Sequence, residues 1–334
     1  MSAKPLPAWK KGLGISLTLS ITVALFIFIY HFEEETLESL LYLRREFLFV
    51  ALLMVFTLWI IEGMRIKLLV ATLSHGKRIS LFAGMQIFLM TFFFAAVTPF
   101  AAGEWPANIY ALKQHGLSLG EATAVTVMRA FVTRILFTAA ALFMLIYFQG
   151  RPVPTFLNQV FIYAAFVSLV TALLLLLLIW KPLLLERLLQ KVSFISNRAR
   201  GKKFYHFLHQ ELRDYRDATL SLNRWKGGAV LLIGILTAGY WICFFSIAPV
   251  LLLGLNRIVP FSQAMLWQLV IQMITAYIPL PGGSGVVELG LARLYSFFVP
   301  TSVLGLFVLA WRFFSYYILL FFGGLVALNK LKLP

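Results

Sequence analysis

Six stretches of this chain, roughly 12–32, 47–73, 120–148, 156–180, 227–255 and 301–328, stay apolar for longer than the ~20 residues a helix needs to cross a hydrocarbon core. Unbroken runs of that length do not suit a transmembrane barrel, whose strands alternate over about ten residues. Composition agrees. The chain is 61% hydrophobic and 13% charged, whereas a soluble domain carries about 25% charged residues. The expected fold class is an all-α polytopic membrane protein with about six full spans, built as a single integral membrane domain over 1–334. The first run follows Lys4, Lys10 and Lys11 and precedes Glu33, Glu34 and Glu35, with no A-x-A-like cleavage site. It is therefore expected to be a retained span and not a removed leader.

Two more apolar segments, 80–98 and 263–280, end in proline-glycine turns with matching spacing. In QIFLMTFFFAAVTPFAAGEWP, thirteen positions separate Gln86 from Pro99 and four more lead to Gly103. In QLVIQMITAYIPLPGGSGVVE the same intervals join Gln268, Pro281 and Gly285, 182 residues further on. Proline cannot continue the helix ladder, and glycine opens turns closed to other residues. Bare backbone is tolerated at membrane depth only where protein or a wet cavity covers it. Paired broken segments in corresponding halves point to a transporter site.

Charge decides how these segments thread the membrane. The stretch 181–226 holds eleven Lys/Arg against four Asp/Glu and reads as a basic amphipathic connector on the membrane surface. With the N-terminal lysines in the cytoplasm, a full crossing at 80–98 would put this connector outside, against the positive-inside bias. If 80–116 instead dips in and returns, the connector lies inside. The same count makes 263–298 a second hairpin entering from the opposite face, and Lys330 and Lys332 end inside. The expectation is thus two re-entrant helical hairpins in an inverted-repeat arrangement, with tips approaching near the midplane and both termini cytoplasmic. Eight plain crossings, with one exception to the charge rule, is the alternative.

The formal net charge of +16 falls mostly in loops. Membrane orientation and attraction to anionic lipid headgroups account for it without a nucleic-acid partner. The one cysteine, Cys243, allows no disulfide or zinc spacing within the chain. His206 and His209 lack a third ligand nearby and are assigned to the surface, so no metal site is expected. GGSG lacks the Lys-Ser/Thr of a phosphate loop, and no nucleophile elbow or acidic metal cluster appears. No cofactor and no enzyme activity are expected.

The candidate site collects around the two tips: Pro99, Gly103 and Pro106 in the first, and Pro281, Gly282, Gly283, Ser284 and Gly285 in the second. The half-helices starting there carry unpaired N–H groups, suited to an anion such as a lipid phosphate. A packing kink without a ligand is the alternative. Charges in apolar surroundings are expensive unless paired or wet. Arg129 and Arg134 in TVMRAFVTRILF, Arg312 in VLAWRFFSYYILL, and Glu104 and Glu288 beside the tips are the substrate-binding candidates. Arg129 and Arg312 would contact an anionic headgroup or pair with Glu104 and Glu288, bracing the hairpins. Glu62, Arg65 and Lys67 read as snorkelling side chains. Gln268 reads as interhelical glue, and Trp9, Trp59, Trp225 and Trp267 as interface anchors. Gly323–Gly324 is a candidate packing face for a homo-oligomer.

PLPGGSGVVE, TPFAAGEWPANIYALKQHGLSLGEA and WRFFSYYILLFFGG resemble the transmembrane region of lysylphosphatidylglycerol synthetase/flippase proteins. The likeness covers roughly 15–328 and implies a module that moves phospholipid, aminoacylated phosphatidylglycerol above all, between leaflets of the cytoplasmic membrane. The chain reaches Pro334 without the soluble aminoacyl-transfer domain, so the expected match is a stand-alone member. Glu104 stands where relatives often have glycine, and Ala107 and Asn108 where a basic residue is frequent. The resemblance therefore leaves the lipid open among an aminoacyl-lipid, another phospholipid, a glycolipid, a hopanoid and a polyprenyl phosphate. The function expected is lipid flipping. A membrane-embedded enzyme acting on a lipid-linked sugar or phosphate, or a partner of a lipid-modifying enzyme, are the rival readings.

Overall fold

Length and apolarity make helices, and the computed structural model contains no strand among the described residues, which are 8–30, 32–74, 76–147, 155–180, 199–220, 227–275 and 277–331. The helices are α1 (Ala8–Tyr30), α2 (Glu34–Leu41), α3 (Arg45–Leu73), α4 (Leu81–Ala96), α5 (Glu104–Gln114), α6 (Leu119–Tyr147), α7 (Thr155–Trp180), α8 (Ala199–Leu220), α9 (Gly227–Gly254), α10 (Phe261–Thr275), α11 (Val286–Tyr295), α12 (Thr301–Arg312) and α13 (Ile318–Leu331). A π-helical turn, Phe313–Tyr317, joins α12 to α13 without a break. Among the described residues, six segments are long and apolar enough to cross a membrane: Lys11–Tyr30, Arg45–Leu73, Leu119–Ile146, Ile162–Trp180, Gly228–Gly254 and Thr301–Lys330. By contrast, α4 has 16 residues and α10 has 15. At 1.5 Å per residue they rise only ~24 and ~22 Å, short of a ~30 Å core.

The chain forms two compact units. One gathers Met1–Ile61, Phe88–Ala107 and Gly239–Pro334, and the other Glu62–Ile87 and Asn108–Ala238. In the first, α1 is a scaffold because small residues recur every fourth position along one face: Gly12, Ser16, Ser20 and Ala24. Small side chains let helix backbones approach closely. A Cβ on Gly12 would stand 1.9 Å from the Val97 carbonyl oxygen, and one on Gly305 would stand 2.3 Å from Phe28 Cα. These two contacts seat α1 against the end of α4 and against α12. Gly323 packs within the chain as well, its missing Cβ facing the Leu89 carbonyl oxygen and Phe93.

In the second unit, a Ser-x-x-Glu capping box starts α6. The Ser118 amide donates to Glu121 Oε2 at 2.9 Å, and the Glu121 amide donates to Ser118 Oγ at 3.2 Å. Lys77 Nζ pairs with the same Glu121 carboxylate at 2.6 Å. The connector helix α8 docks here: the Gly120 amide donates to Glu211 Oε2 at 2.7 Å, and the Tyr215 hydroxyl donates to the Leu178 carbonyl at 3.1 Å. Burial pushes the Tyr215 phenol up to about 12. The rest of the basic connector, 181–198 and 221–226, lies outside the described residues, as do Lys4, Trp225 and Lys332, and the side chains of Trp9, Lys10 and His206.

Two sequence expectations are corrected. Trp59 and Trp267 are not interface anchors, since each is only 5% exposed. Trp59 meets Phe322 edge-on at 5.2 Å, because this face of α3 packs on α13. Glu62 and Arg65 do not snorkel either: they are 0% and 2% exposed. A mutual ion pair lets them stay buried, and Lys67 alone of the three is exposed.

Candidate functional site

The two proline turns share a backbone trace. Thr98 (φ −120°, ψ 142°) matches Leu280 (φ −115°, ψ 140°), and Phe100 (φ 55°, ψ 19°) matches Gly282 (φ 62°, ψ 13°). Ala101 and Gly283 follow, also left-handed, at φ 52° and 62°. The traces part at the next residue, where ψ is −23° for Ala102 and 138° for Ser284. The matched spacing in the sequence therefore encodes a matched turn. Glycine takes the left-handed positions in the second copy, whereas Phe100 and Ala101 are strained there in the first. The turns touch: the Phe100 amide donates to the Ile278 carbonyl at 3.2 Å. They differ in exposure. Pro99, Phe100, Ala102 and Pro106 are exposed, while Pro281, Gly283, Ser284 and Gly285 are buried.

A buried polar network surrounds the second turn. Glu288 lies in the first turn of α11, and its Oε2 accepts from the Gly285 amide at 2.8 Å and from Arg312 Nη2 at 2.8 Å. Its Oε1 accepts from Ser20 Oγ at 2.5 Å. Arg312 Nη1 reaches the Gly282 carbonyl at 3.4 Å, and the guanidinium lies 4.9 Å from the Tyr316 ring centre. Both charged side chains are almost fully buried, at 3% and 0% exposure. Ser16 bonds to Tyr316 and, at 3.1 Å, to Ser284, while Ser20 bonds to the Tyr317 hydroxyl at 2.7 Å. The π-helical turn sets this up, as it places the consecutive Tyr316 and Tyr317 on the α1 serines. Inside the network the Arg312 Nε has no hydrogen-bond partner.

The segment carrying this turn is tied at both ends to one residue. Glu35 pairs with Arg257, just before α10, and accepts from Ser302 Oγ at 2.5 Å, at the start of α12. Thr36 Oγ1 adds a bond to the Ser302 carbonyl at 2.6 Å. Between these ties the chain reaches Ser20 and Ser16, ten and fourteen residues before the end of α1 at Tyr30. At 1.5 Å per residue that is ~15 and ~21 Å along the helix. Gln268 Nε2 donates to the Tyr295 hydroxyl at 3.0 Å, which donates to the Ala264 carbonyl at 2.7 Å, clamping α10 to α11. This bears out Gln268 as interhelical glue.

A second charge cluster lies in the other unit. Glu62 Oε1 accepts from Arg129 Nε at 2.5 Å, and Glu62 Oε2 from Arg65 Nη1 at 3.2 Å. Arg65 Nη2 continues to the Arg129 carbonyl at 2.6 Å and to Thr133 Oγ1 at 2.8 Å. Arg129 and Arg312 thus belong to separate clusters, each with a carboxylate. Arg134 lies half-buried on α6, and Glu104, also half-buried, opens α5. The first turn is closed by the Gly103 amide, which donates to Thr98 Oγ1 at 2.8 Å. Sequence reasoning missed Ser16, Ser20 and Glu35. The four-residue small-side-chain spacing of α1 was the available signal for the serines, whereas Glu35 sat unremarkably in an acidic loop.

A helical membrane chain with paired proline-glycine turns and buried Arg–Glu pairs matches one family model, described as the lysylphosphatidylglycerol synthase TM region, over residues 13–323. The chain belongs to that family. A UPF0104 membrane protein of Archaeoglobus fulgidus is 30% identical over 288 residues, covering 83% of this chain and 84% of the relative. No solved structure matches. Together with the six long apolar helices, these likenesses establish a multi-pass membrane protein with a membrane role related to that family.

Proposed function

We propose that this member of the lysylphosphatidylglycerol synthase TM region family is a lipid transporter, moving an anionic or aminoacylated phospholipid or related lipid between leaflets of the cytoplasmic membrane. The observation that carries the reading is the double tie of Glu35 to Arg257 and Ser302, set against the contact of Glu288 with Ser20. A segment whose ends share one anchor, and whose turn meets α1 half-way along its span, behaves as a re-entrant hairpin. The Lys77–Glu121 pair supports the same reading for 80–116, because it closes the base of the other broken segment. The two hairpins form the inverted repeat expected from charge, with both termini cytoplasmic.

In this reading the hairpin tips offer polar backbone and hydroxyls to a headgroup in transit, while the acyl chains stay in lipid. Arg312 meets the phosphate and returns to Glu288 when it leaves. Arg129, with Arg134, acts on the headgroup from its own cluster, and Glu104 borders the exposed first tip. The connector that contains α8, with eleven Lys/Arg against four Asp/Glu over 181–226, rests on anionic headgroups. Nothing in the proposal calls for catalysis or a cofactor.

The test is leaflet exchange. Purified protein in vesicles with a headgroup-labelled phospholipid should expose the inner-leaflet probe to a membrane-impermeant quencher. Inner-leaflet probe protected as fully as in protein-free vesicles, for anionic, zwitterionic and aminoacylated probes alike, overturns the reading.

A further inference from the structure

An apolar cleft of 430 Å³ opens in the first unit beside the charge network, lined by Leu43, Leu255, Leu306, Leu309, Phe313 and Tyr317, among others. We propose that it seats one acyl chain of an anionic phospholipid in the leaflet on the Glu35 side.

Three observations fix the occupant. The cleft is walled by membrane-spanning segments, at the start of α3, the end of α9 and along α12, so lipid is what reaches it. Its depth fits a single leaflet. From Leu306 to Tyr317 is eleven residues, or ~16 Å of helix rise, against half of a ~30 Å core. Its mouth carries charge complementary to a phosphodiester. The Arg44 amide donates to the Gly254 carbonyl at 2.9 Å, which holds Leu43 and the exposed Arg44 and Arg45 that follow it against the end of α9, beside the lining residue Leu255. Glu46 occupies one face of Arg44 at 2.8 Å, which leaves Arg45 as the principal phosphate contact.

Tyr317 belongs to both places. It lines the cleft, and its hydroxyl bonds to Ser20, which in turn donates to Glu288. One residue therefore joins the acyl-chain seat to the buried charge network. This deepens the transport reading by giving the lipid a waiting position next to the path of its headgroup.

Photo-cross-linking tests it. The probe is phosphatidylglycerol with a diazirine at the end of one acyl chain, in phosphatidylcholine vesicles holding the whole protein, with labelled peptides mapped by mass spectrometry. Residues 306–317 and 251–255 should be labelled several-fold more than the exposed apolar side chains Leu231, Ile235 and Phe143. Ala310→Trp, which fills the cleft, should abolish the excess and leave labelling elsewhere intact. Arg44→Glu with Arg45→Glu, both on the surface, should lower it with the cleft unfilled. Labelling of the cleft no denser than that of the control side chains overturns the seat, whatever the variants do. The seat and the transport reading fail separately: dense labelling without leaflet exchange keeps the seat and removes the transporter, and exchange without dense labelling does the reverse.

Discussion

Replacing Arg312 by Met should be costly, and replacing its partner at the same time should not double the cost. The pair is 2.8 Å long with side chains 3% and 0% exposed. Arg312→Met leaves Glu288 held only by Ser20 and the Gly285 amide. Glu288→Gln leaves a guanidinium buried beside the Tyr316 ring. Breaking a buried pair from one side costs about 3–5 kcal/mol, while replacing both partners is often close to neutral. Each single variant should therefore lower the thermal midpoint in detergent by on the order of 10 °C. The double variant should lose no more than either single one, which puts the coupling at about 3 kcal/mol or more. The assay is thermal unfolding of the purified protein, read by loss of the monodisperse peak after heating. Single variants that melt like the parent, or a double variant whose loss equals the sum of the two, would refute a buried pair as the brace of this turn. The double variant also separates two roles: it keeps the turn and removes the charge, so leaflet exchange measured on it reports whether the headgroup needs Arg312.

The left-handed turn positions predict opposite effects in the two copies. Gly282→Ala adds the left-handed penalty of ~1–2 kcal/mol and drives a Cβ to within 2.3 Å of the Tyr316 hydroxyl. With two hydrogen bonds of that hydroxyl at risk, each ~0.5–1.5 kcal/mol, the loss should reach about 2–5 kcal/mol, whereas Ala101→Gly should gain up to about 1 kcal/mol; a thermal midpoint for Gly282→Ala equal to the parent's would reject the argument. Glu35 predicts a pH dependence. Hydrogen bonds from Ser302 and then Arg257 hold its carboxyl below the ordinary range. Its folded value lies below its unfolded one, so its ties contribute fully above about pH 4.3 and are lost as pH falls through the folded value. The midpoint of the parent should accordingly drop more steeply on acidification below about pH 4 than that of Ser302→Ala, and parallel curves would show that Glu35 does not tie the segment.

Spans were legible because apolar length is a one-dimensional property: each of the six predicted runs overlaps an observed helix with ends shifted by a few residues. The matched turns were legible too, because Pro and Gly at fixed spacing write backbone geometry directly into sequence, and Gly282 and Gly283 carry the positive φ their residue type permits. In the first copy Pro99 and Gly103 marked the turn, but nothing marked its left-handed positions, because Phe100 and Ala101 adopt that geometry against their own preference. Partner choice was the least readable quantity. Arg312 found the nearby Glu288, but Arg129 found Glu62, on a helix 67 positions earlier in the chain and itself read as a snorkelling side chain. Pairing between helices depends on which faces meet, and a continuous apolar span such as α3 carries almost no facial signal to say so. α1 did carry one, in Gly12, Ser16, Ser20 and Ala24 at every fourth position. A polar side chain on such a small-residue face is better read as a contact with irregular backbone than as helix glue, since close approach is what lets a serine reach a turn. That physical link, from small-residue spacing to a buried turn and from the turn to its charges, makes α1 the element on which the second broken segment depends.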